Sequence, residues 1–188
     1  DMPPPNSDAY QDALSQVLID LSRSLGGHTM ALFTSYASLR GIANRVRSPL
    51  SGDGIQVLAQ SLDGPPQQLI SRFRDNPSSL LLGTSSFWEG VDLPSGVLKA
   101  LVLARLPFQV PTDPVVKARS DQYDDPFKEF SIPQAVLRFR QGIGRLMRNK
   151  EDSGTIVVLD RRVTGRSYGG SFLKSIPPCT LKPSSMAT

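Results

Sequence analysis

Apolar residues recur along the chain in two alternating patterns, a helical spacing of three to four residues and short continuous runs. Residues 8–25 keep the helical spacing and are followed by Gly26 and Gly27, which predicts a first helix with a glycine stop. Short continuous runs are typical of parallel strands that are buried on both faces. The predicted strands are 28–33, 55–59, 79–83, 98–104 and 154–159.

Segments with helical spacing fill the gaps between these runs. Pro66 begins one of them, and Pro133 stands in the first turn of another, which we expect Ser131 to cap. The predicted helices are 37–47, 66–73, 113–123, 134–149 and about 170–176. Strands that alternate with helices predict an α/β fold in which a mainly parallel sheet is covered by helices on both faces.

The helix predicted at 134–149 has two different faces. The apolar face carries Val136, Phe139, Ile143, Leu146 and Met147, and the polar face carries Arg138, Gln141, Arg145 and Arg148. A row of guanidinium groups suits a ligand with spread negative charge, because each planar group offers paired donors to phosphate oxygens. The alternative is an ordinary solvated basic face.

Two glycines, Gly142 and Gly144, interrupt this helix. Each costs about 1 kcal/mol of helix stability relative to alanine, so we expect another backbone or a ligand to approach closely. From spacing alone, a phosphate site and a plain amphipathic helix remain open alternatives.

Residues 141–148, Gln-Gly-Ile-Gly-Arg-Leu-Met-Arg, resemble motif VI of superfamily 2 helicases of the DinG and XPD types. Upstream, residues 83–94, Gly-Thr-Ser-Ser-Phe-Trp-Glu-Gly-Val-Asp-Leu-Pro, resemble motif V in the form of the bacterial DinG branch. The motifs stand in the family order, and the resemblance extends from about residue 8 to residue 178. It implies the second, C-terminal RecA-like lobe of an ATP-dependent DNA helicase, with a three-layer fold.

The resemblance also divides the chain into three parts. Residues 1–7 form a proline-rich lead-in from a preceding lobe, residues 8–178 form the lobe with motifs IV, V and VI, and residues 179–188 form a flexible tail. The Gly-x-x-x-x-Gly-Lys-Ser/Thr phosphate loop and the acidic magnesium motif of such enzymes do not occur in the sequence. We therefore expect an excised fragment that does not hydrolyse ATP alone, with ATP and Mg²⁺ held mainly by the N-terminal RecA-like lobe.

For the nucleotide, the resemblance implies contacts from motifs V and VI. Arg148 would act as the arginine finger on the γ-phosphate, Arg145 would support the phosphates, and Gln141 would sense the γ-phosphate or the attacking water. Motif V would contribute Glu89, Gly90 and Asp92. Its acidic side chains must bind ribose hydroxyls, an arginine or metal-bound water, since they would repel phosphate. The alternative is a structural pair that holds the loop.

For single-stranded DNA, the resemblance implies contacts from motif IV, which follows the first strand, and from motif V. The expected contact residues are Thr34, Ser35, Tyr36, Thr84, Ser85 and Trp88. Hydroxyl groups and a helix start suit phosphate oxygens, and an indole ring can stack on a base. Two alternatives stay open: Ser35 can cap the following helix, and Trp88 can pack against the sheet, the commoner fate of a lone tryptophan.

Composition changes this interpretation little. The 188 residues are 39% hydrophobic and 20% charged, which is ordinary for one globular domain, and a net charge of +4 is compatible with a polyanionic partner without requiring one. The single cysteine, Cys179, excludes an internal disulfide and a cysteine metal cluster. With no apolar run of membrane-spanning length and no recognisable signal peptide, we expect a cytoplasmic protein without a membrane partner.

Other functions fit parts of the sequence. A catalytically inert nucleic-acid-binding or interaction module would not need Gln141, Arg145 and Arg148 in one row. A Rossmann-type enzyme would carry a Gly-x-Gly-x-x-Gly turn after its first strand, which is missing. A structural domain would cover the arginine face with its own acidic residues.

Residues 160–162, Asp-Arg-Arg, follow the last predicted strand and also resemble the family pattern. No chemical role follows from them, and a buried ion pair is the structural alternative. His28 has no Asp or Cys partner at metal-ligand spacing, so we expect a structural role for it.

Overall fold

A computed structural model of the chain describes residues 2–3, 7–89, 93, 96–146 and 152–182, except for the side chains of Ser85 and Glu89. Strands and helices alternate through these residues, as the apolar pattern predicts. The strands are β1 (Thr29–Leu32), β2 (Gln56–Ala59), β3 (Ser79–Gly83), β4 (Ala100–Leu103) and β5 (Thr155–Val158). The α-helices are α1 (Asp8–Leu25), α2 (Tyr36–Gly52), α3 (Pro66–Asp75), α4 (Ser85–Glu89), α5 (Pro114–Ser120), α6 (Ile132–Ile143), α7 (Arg162–Gly165) and α8 (Gly169–Ser175). A π-helical turn, Pro126–Ser131, leads directly into α6.

The five described strands form one sheet in the order β2-β3-β1-β4-β5, and every neighbouring pair is parallel. The predicted parallel sheet is therefore confirmed. Because the strands run in one direction, their carboxyl ends meet at a single edge of the sheet, which we call the carboxyl edge. The loops after β1 and β3, which carry candidate site residues, both leave from this edge.

Helices cover both faces of the sheet, and each face buries its own apolar core. Side chains alternate along β1 and beyond its end, so that Met30 and Leu32 join one core while Ala31 and Phe33 join the other. Residues from α3, α4, α6 and α8 pack into the first core, and residues from α1 and α2 pack into the second. The three-layer α/β fold expected from the sequence is confirmed.

The first helix is fixed at both ends and along its buried face. Ser7 caps its start by accepting a hydrogen bond from the backbone N–H of Tyr10 at 3.2 Å, and Gly26 ends it in the left-handed conformation at φ 63°. The hydroxyl of Tyr10, which is 1% exposed, donates to the carbonyl oxygen of Ala104 and lies 3.5 Å from that of Leu159. Burial raises the pKa of Tyr10 to about 12. This side chain ties α1 to the ends of β4 and β5.

Two details of α6 differ from the sequence prediction. The helix ends at Ile143 with Gly144 as its C-cap, whereas the sequence predicted that it would continue to about residue 149. Beyond that end, the backbone N–H groups of Arg145 and Leu146 bond to carbonyl oxygens three residues back, so the chain tightens where a glycine has low helix propensity. Ser131 makes no capping hydrogen bond, because its backbone is already helical and continues the π-helical turn.

Two short helices, α4 and α7, have no counterpart in the sequence prediction, which placed a loop at the motif V residues. α2 extends through Pro49 to Gly52, beyond the predicted end at residue 47. Among the described residues, none of the helices combines the length and the apolar character needed to cross a membrane.

Candidate functional site

The motif IV residues lie at the carboxyl edge, between the end of β1 and the start of α2. Thr34, Ser35 and Tyr36 are all exposed, as a contact with a polymer requires. Ser35 is also the N-cap of α2, because its backbone is extended and its hydroxyl oxygen accepts a hydrogen bond from the N–H of Ser38 at 3.3 Å. The capping role of Ser35 is confirmed, and its exposure leaves the side chain accessible to a ligand.

Thr84, which we expected to face DNA, is buried. It is 3% exposed, and both its backbone N–H and its hydroxyl donate to Oε1 of Gln60, at 2.7 and 2.9 Å. A direct contact between the Thr84 side chain and DNA does not fit this arrangement, because the hydroxyl proton is already used inside the protein. In the same motif, Ser86 is exposed.

Gln60 lies at the centre of these loops, although the sequence pattern did not identify it. It directly follows β2 at the carboxyl edge and is 4% exposed. Its Nε2 donates to the hydroxyl oxygens of Tyr36 at 3.0 Å and Ser86 at 2.7 Å. Together with the bonds to Thr84, Gln60 links the ends of β1, β2 and β3. Its one sequence signal is a polar residue directly after an apolar strand, where the site residues of parallel sheets stand.

Trp88 packs into the core between the sheet and α6. It is 3% exposed, and its Nε1 donates to the carbonyl oxygen of Phe33 at 3.3 Å. A Cβ atom on Gly142 would lie 2.7 Å from two carbons of the indole ring, so the glycine allows this close approach. The approach expected at the helix glycines therefore occurs at Gly142, with a side chain as the partner. The packing alternative for Trp88 is confirmed, and stacking on DNA does not fit because the ring is covered.

Gln141 and Arg145, the described polar residues of motif VI, differ in their surroundings. Gln141 is exposed in the last turn of α6, and Arg145 is half-buried beyond the helix end. The Nη2 of Arg145 donates to the backbone carbonyl oxygen of Trp88 at 3.2 Å. The predicted row on one continuous helix face is wrong, because α6 ends before Arg145. Motif VI nevertheless contacts motif V directly.

A buried ion pair joins the segments that follow β4 and β5. Asp160, whose side chain is fully buried, accepts hydrogen bonds from Arg162 Nη2 at 2.6 Å and from the N–H of Leu106 at 2.9 Å. Burial alone would raise the pKa of Asp160, but the hydrogen bonds from Arg162 and Leu106 outweigh it and hold the pKa below its usual value. The guanidinium of Arg162 also lies 5.3 Å from the ring centre of Phe108. The ion pair considered for residues 160–162 is confirmed.

Comparison with known families gives a direct assignment. Residues 18–179 match the family model described as a helicase C-terminal domain. The chain belongs to this family. Together with the DinG and YoaA relatives below, the match confirms the resemblance to the C-terminal lobe of DinG-type helicases.

This helicase C-terminal domain is 42% identical over 153 residues to the 3'-5' exonuclease DinG of Bacillus subtilis. The aligned region covers 79% of this chain and 16% of that protein. It is 36% identical over 181 residues to the ATP-dependent DNA helicase YoaA of Escherichia coli. That aligned region covers 94% of this chain and 28% of the YoaA protein. A solved XPD helicase superimposes with a TM-score of 0.67 and 23% identity over 90% of this chain and 31% of that chain, which shows a shared fold. The chain spans less than a third of each of these relatives.

Several expected site residues of this helicase domain lie outside the described residues. They are Gly90, Asp92 and Arg148, together with the side chains of Ser85 and Glu89. Their expected roles stay predictions. Within the described part of the chain, no three His, Cys, Asp or Glu side chains come together to hold a metal ion, so we assign no Mg²⁺ ligand here.

Proposed function

We propose that the chain is the C-terminal motor lobe of an ATP-dependent DNA helicase. In this proposal it supplies an arginine finger and single-stranded DNA contacts to a nucleotide site that an N-terminal lobe completes. The observation that carries the proposal is the contact of motif VI with motif V, in which Arg145 donates to the carbonyl oxygen of Trp88 at 3.2 Å. A surface that only binds DNA does not need an arginine of one motif to hold the backbone of another.

ATP is the substrate in this proposal, and motif VI faces its phosphates. Phosphoryl transfer spreads negative charge over the equatorial oxygens, so guanidinium donors at the γ-phosphate lower the barrier. Arg148 is the finger, Arg145 supports the phosphates, and the exposed Gln141 senses the γ-phosphate or the attacking water. Glu89 and Asp92 bind ribose hydroxyls or a motif VI arginine. Mg²⁺ enters with ATP through the N-terminal lobe.

DNA crosses the carboxyl edge at the ends of β1 and β3. The exposed hydroxyls of Thr34, Ser35 and Tyr36, together with the start of α2, suit the phosphates of a single strand. Motif V contacts both the end of β1 and motif VI. The Nε1 of Trp88 donates to the carbonyl oxygen of Phe33, and Arg145 donates to the carbonyl oxygen of Trp88. A change at the nucleotide can therefore reach the DNA-facing loops through direct contacts.

The test is DNA-stimulated ATP hydrolysis by the two-lobe protein, comparing Arg148→Ala with Arg140→Ala. Arg140 is the matched control, because it is exposed on α6 and has no proposed contact with ATP. We expect Arg148→Ala to lower kcat at least about a hundredfold, equivalent to about 3 kcal/mol of transition-state stabilisation. We expect Arg140→Ala to stay within about threefold of the wild-type rate.

Thermal unfolding must show that both variants are folded. The isolated chain is expected not to hydrolyse ATP. An unchanged kcat in folded Arg148→Ala would contradict the proposed finger and would favour the alternative, a catalytically inert nucleic-acid-binding or interaction module of the same fold.

A further inference from the structure

We propose that Gln60 is a positioning residue that makes the hydroxyls of Tyr36 and Ser86 hydrogen-bond donors for one phosphate of a bound nucleic-acid strand. The inference rests on the proposed function, because it assumes that a strand crosses the carboxyl edge. It adds a residue outside motifs IV, V and VI, and it names Oη of Tyr36 and Oγ of Ser86 as the contacting atoms.

The hydrogen bonds around Gln60 determine which way its amide points. The backbone N–H of Thr84 can only donate, so the Gln60 atom that faces it at 2.7 Å must be the oxygen Oε1. The Thr84 hydroxyl donates to the same oxygen at 2.9 Å. Nε2 therefore points toward Tyr36 and Ser86, and each of its two protons has one acceptor. Because Gln60 is 4% exposed, the surrounding protein holds this orientation.

The two hydroxyl groups on Nε2 are left with protons to donate. An amide nitrogen only donates, so the oxygens of Tyr36 and Ser86 must accept, and their own protons point elsewhere. Among the described residues, neither hydroxyl donates to another protein group. Tyr36 is 43% exposed and Ser86 is also exposed. Two neighbouring hydroxyls, both on exposed residues, therefore keep a proton to donate at the carboxyl edge.

A phosphate oxygen fits these donors. It accepts hydrogen bonds and has no proton of its own to donate at neutral pH, so it complements hydroxyls that already accept from Nε2. Tyr36 begins α2, where the first backbone N–H groups also favour negative charge. Hydroxyl contacts of this kind fix the position of a strand without selecting a base. The phosphates of ATP have the same chemistry, and the experiment distinguishes the two sources.

A purely structural role for Gln60 makes a different prediction. In that case, its bonds to Thr84 hold the loop after β3, and losing them weakens DNA binding whether or not the two hydroxyls are present. If Gln60 acts by orienting the hydroxyls, its loss matters only while they are present. A comparison of single and combined variants separates the two roles.

The experiment uses the two-lobe protein and a fluorescent oligothymidine as the probe. The variants are Gln60→Met, the hydroxyl-free pair Tyr36→Phe with Ser86→Ala, and the combination of all three changes. Gln56→Met is the matched control, because Gln56 is exposed and begins the same strand at the opposite edge of the sheet. The Kd for the oligonucleotide, the KM for ATP, kcat at saturating DNA and Tm are measured for each protein.

We expect Gln60→Met and the hydroxyl-free pair each to raise the Kd for the oligonucleotide about tenfold, with Gln56→Met unchanged. The KM for ATP and kcat at saturating DNA should change less than about threefold. In the hydroxyl-free background, Gln60→Met should raise the Kd by less than about a further twofold. If Gln60→Met lowers Tm, the hydroxyl-free pair still tests the contact, because it keeps the bonds between Gln60 and Thr84, and its own Tm measures the cost of leaving Nε2 without acceptors.

Three results would overturn the inference: wild-type DNA affinity in the hydroxyl-free pair, an equal effect of Gln60→Met in both backgrounds, or a loss confined to the KM for ATP. The proposed function survives each of them, provided that DNA still stimulates wild-type ATP hydrolysis and that Arg148 is still required. If DNA stimulates no hydrolysis in the wild type, the proposed function fails and this inference fails with it.

Discussion

The guanidinium of Arg145 is joined to the backbone of Trp88, with Nη2 donating to the carbonyl oxygen at 3.2 Å. The same tryptophan packs its ring against Gly142 and donates from Nε1 to the carbonyl oxygen of Phe33 at 3.3 Å. Direct contacts therefore run from motif VI through motif V to the end of β1. A guanidinium drawn toward a nucleotide would give up one of these hydrogen bonds.

We expect Arg145→Lys to lower kcat for DNA-stimulated ATP hydrolysis about tenfold or more, because an ammonium group lacks the planar set of donors that matches phosphate oxygens. The lost bond to the Trp88 carbonyl should by itself lower the free energy of unfolding by about 1 kcal/mol. Steady-state kinetics and urea unfolding of the same variant measure the two effects. Arg140→Lys is the control, and a wild-type kcat in Arg145→Lys would exclude a phosphate role for Arg145.

Ser35 allows the capping of α2 to be separated from a contact with DNA. Asn and Asp both cap helices about as well as Ser, so Ser35→Asn and Ser35→Asp should keep the wild-type Tm. If Ser35 lies beside a DNA phosphate, the aspartate should weaken binding of an oligonucleotide at low salt about tenfold more than the asparagine does. Fluorescence anisotropy measures the two Kd values. Equal values would remove Ser35 from the DNA contacts and leave it only as a cap.

Gly142→Ala should destabilise the domain by about 1–3 kcal/mol, because the added Cβ forces the Trp88 ring to move within a packed core. The matched control is Gly170→Ala in α8, where a Cβ would meet nothing within 4 Å. That change should be neutral or stabilise by up to about 1 kcal/mol, since alanine favours helix. Urea unfolding measures both variants. Similar free energies of unfolding for Gly142→Ala and Gly170→Ala would mean that the Trp88 ring does not constrain residue 142.

Much of the fold is predictable because strand and helix patterns differ strongly in this chain. A run such as 79–83 is apolar along its length, and Gly26 ends α1 where a left-handed residue is required. The end of α6 was not predictable from the apolar spacing, because Leu146 keeps the helical period even though the helix has already ended. There, a tight turn places the same side chain in the core.

The candidate site is less predictable than the fold. Family motifs identified Arg145 and Ser35, but they carry no information on which way each side chain points. Thr84 and Trp88 belong to motif V and are nevertheless buried, because tertiary contacts with Gln60 and Phe33 use their polar groups. Gln60 lacks any periodic signal, since a single polar residue after a strand is common in loops.

Asp160→Asn should destabilise the domain by about 2 kcal/mol at neutral pH, because hydrogen bonds from the charged Arg162 to a carboxylate are stronger than those to an amide. The folded pKa of Asp160 is lower than its unfolded value, so its stabilisation is present above the unfolded pKa and is lost as pH falls through the folded pKa. The difference in the free energy of unfolding between the wild type and Asp160→Asn should therefore shrink below about pH 4, which is near the usual pKa of an aspartate.

Urea unfolding of the wild type and Asp160→Asn at a series of pH values measures this difference. Asp75→Asn is the control, because Asp75 forms an exposed pair with Arg74 at 3.3 Å. A pH-independent difference between the wild type and Asp160→Asn would contradict a lowered pKa.

The bond from Tyr10 to the carbonyl oxygen of Ala104 extends the folding unit toward the amino terminus, beyond the segment that the family model matches. The family match begins at residue 18, whereas Tyr10 and Leu14 are already buried in the second core. A chain trimmed to the matched region would expose that core and lose the anchor on β4. Expression, crystallisation and exchange of lobes between relatives should therefore keep the whole first helix with its Ser7 cap.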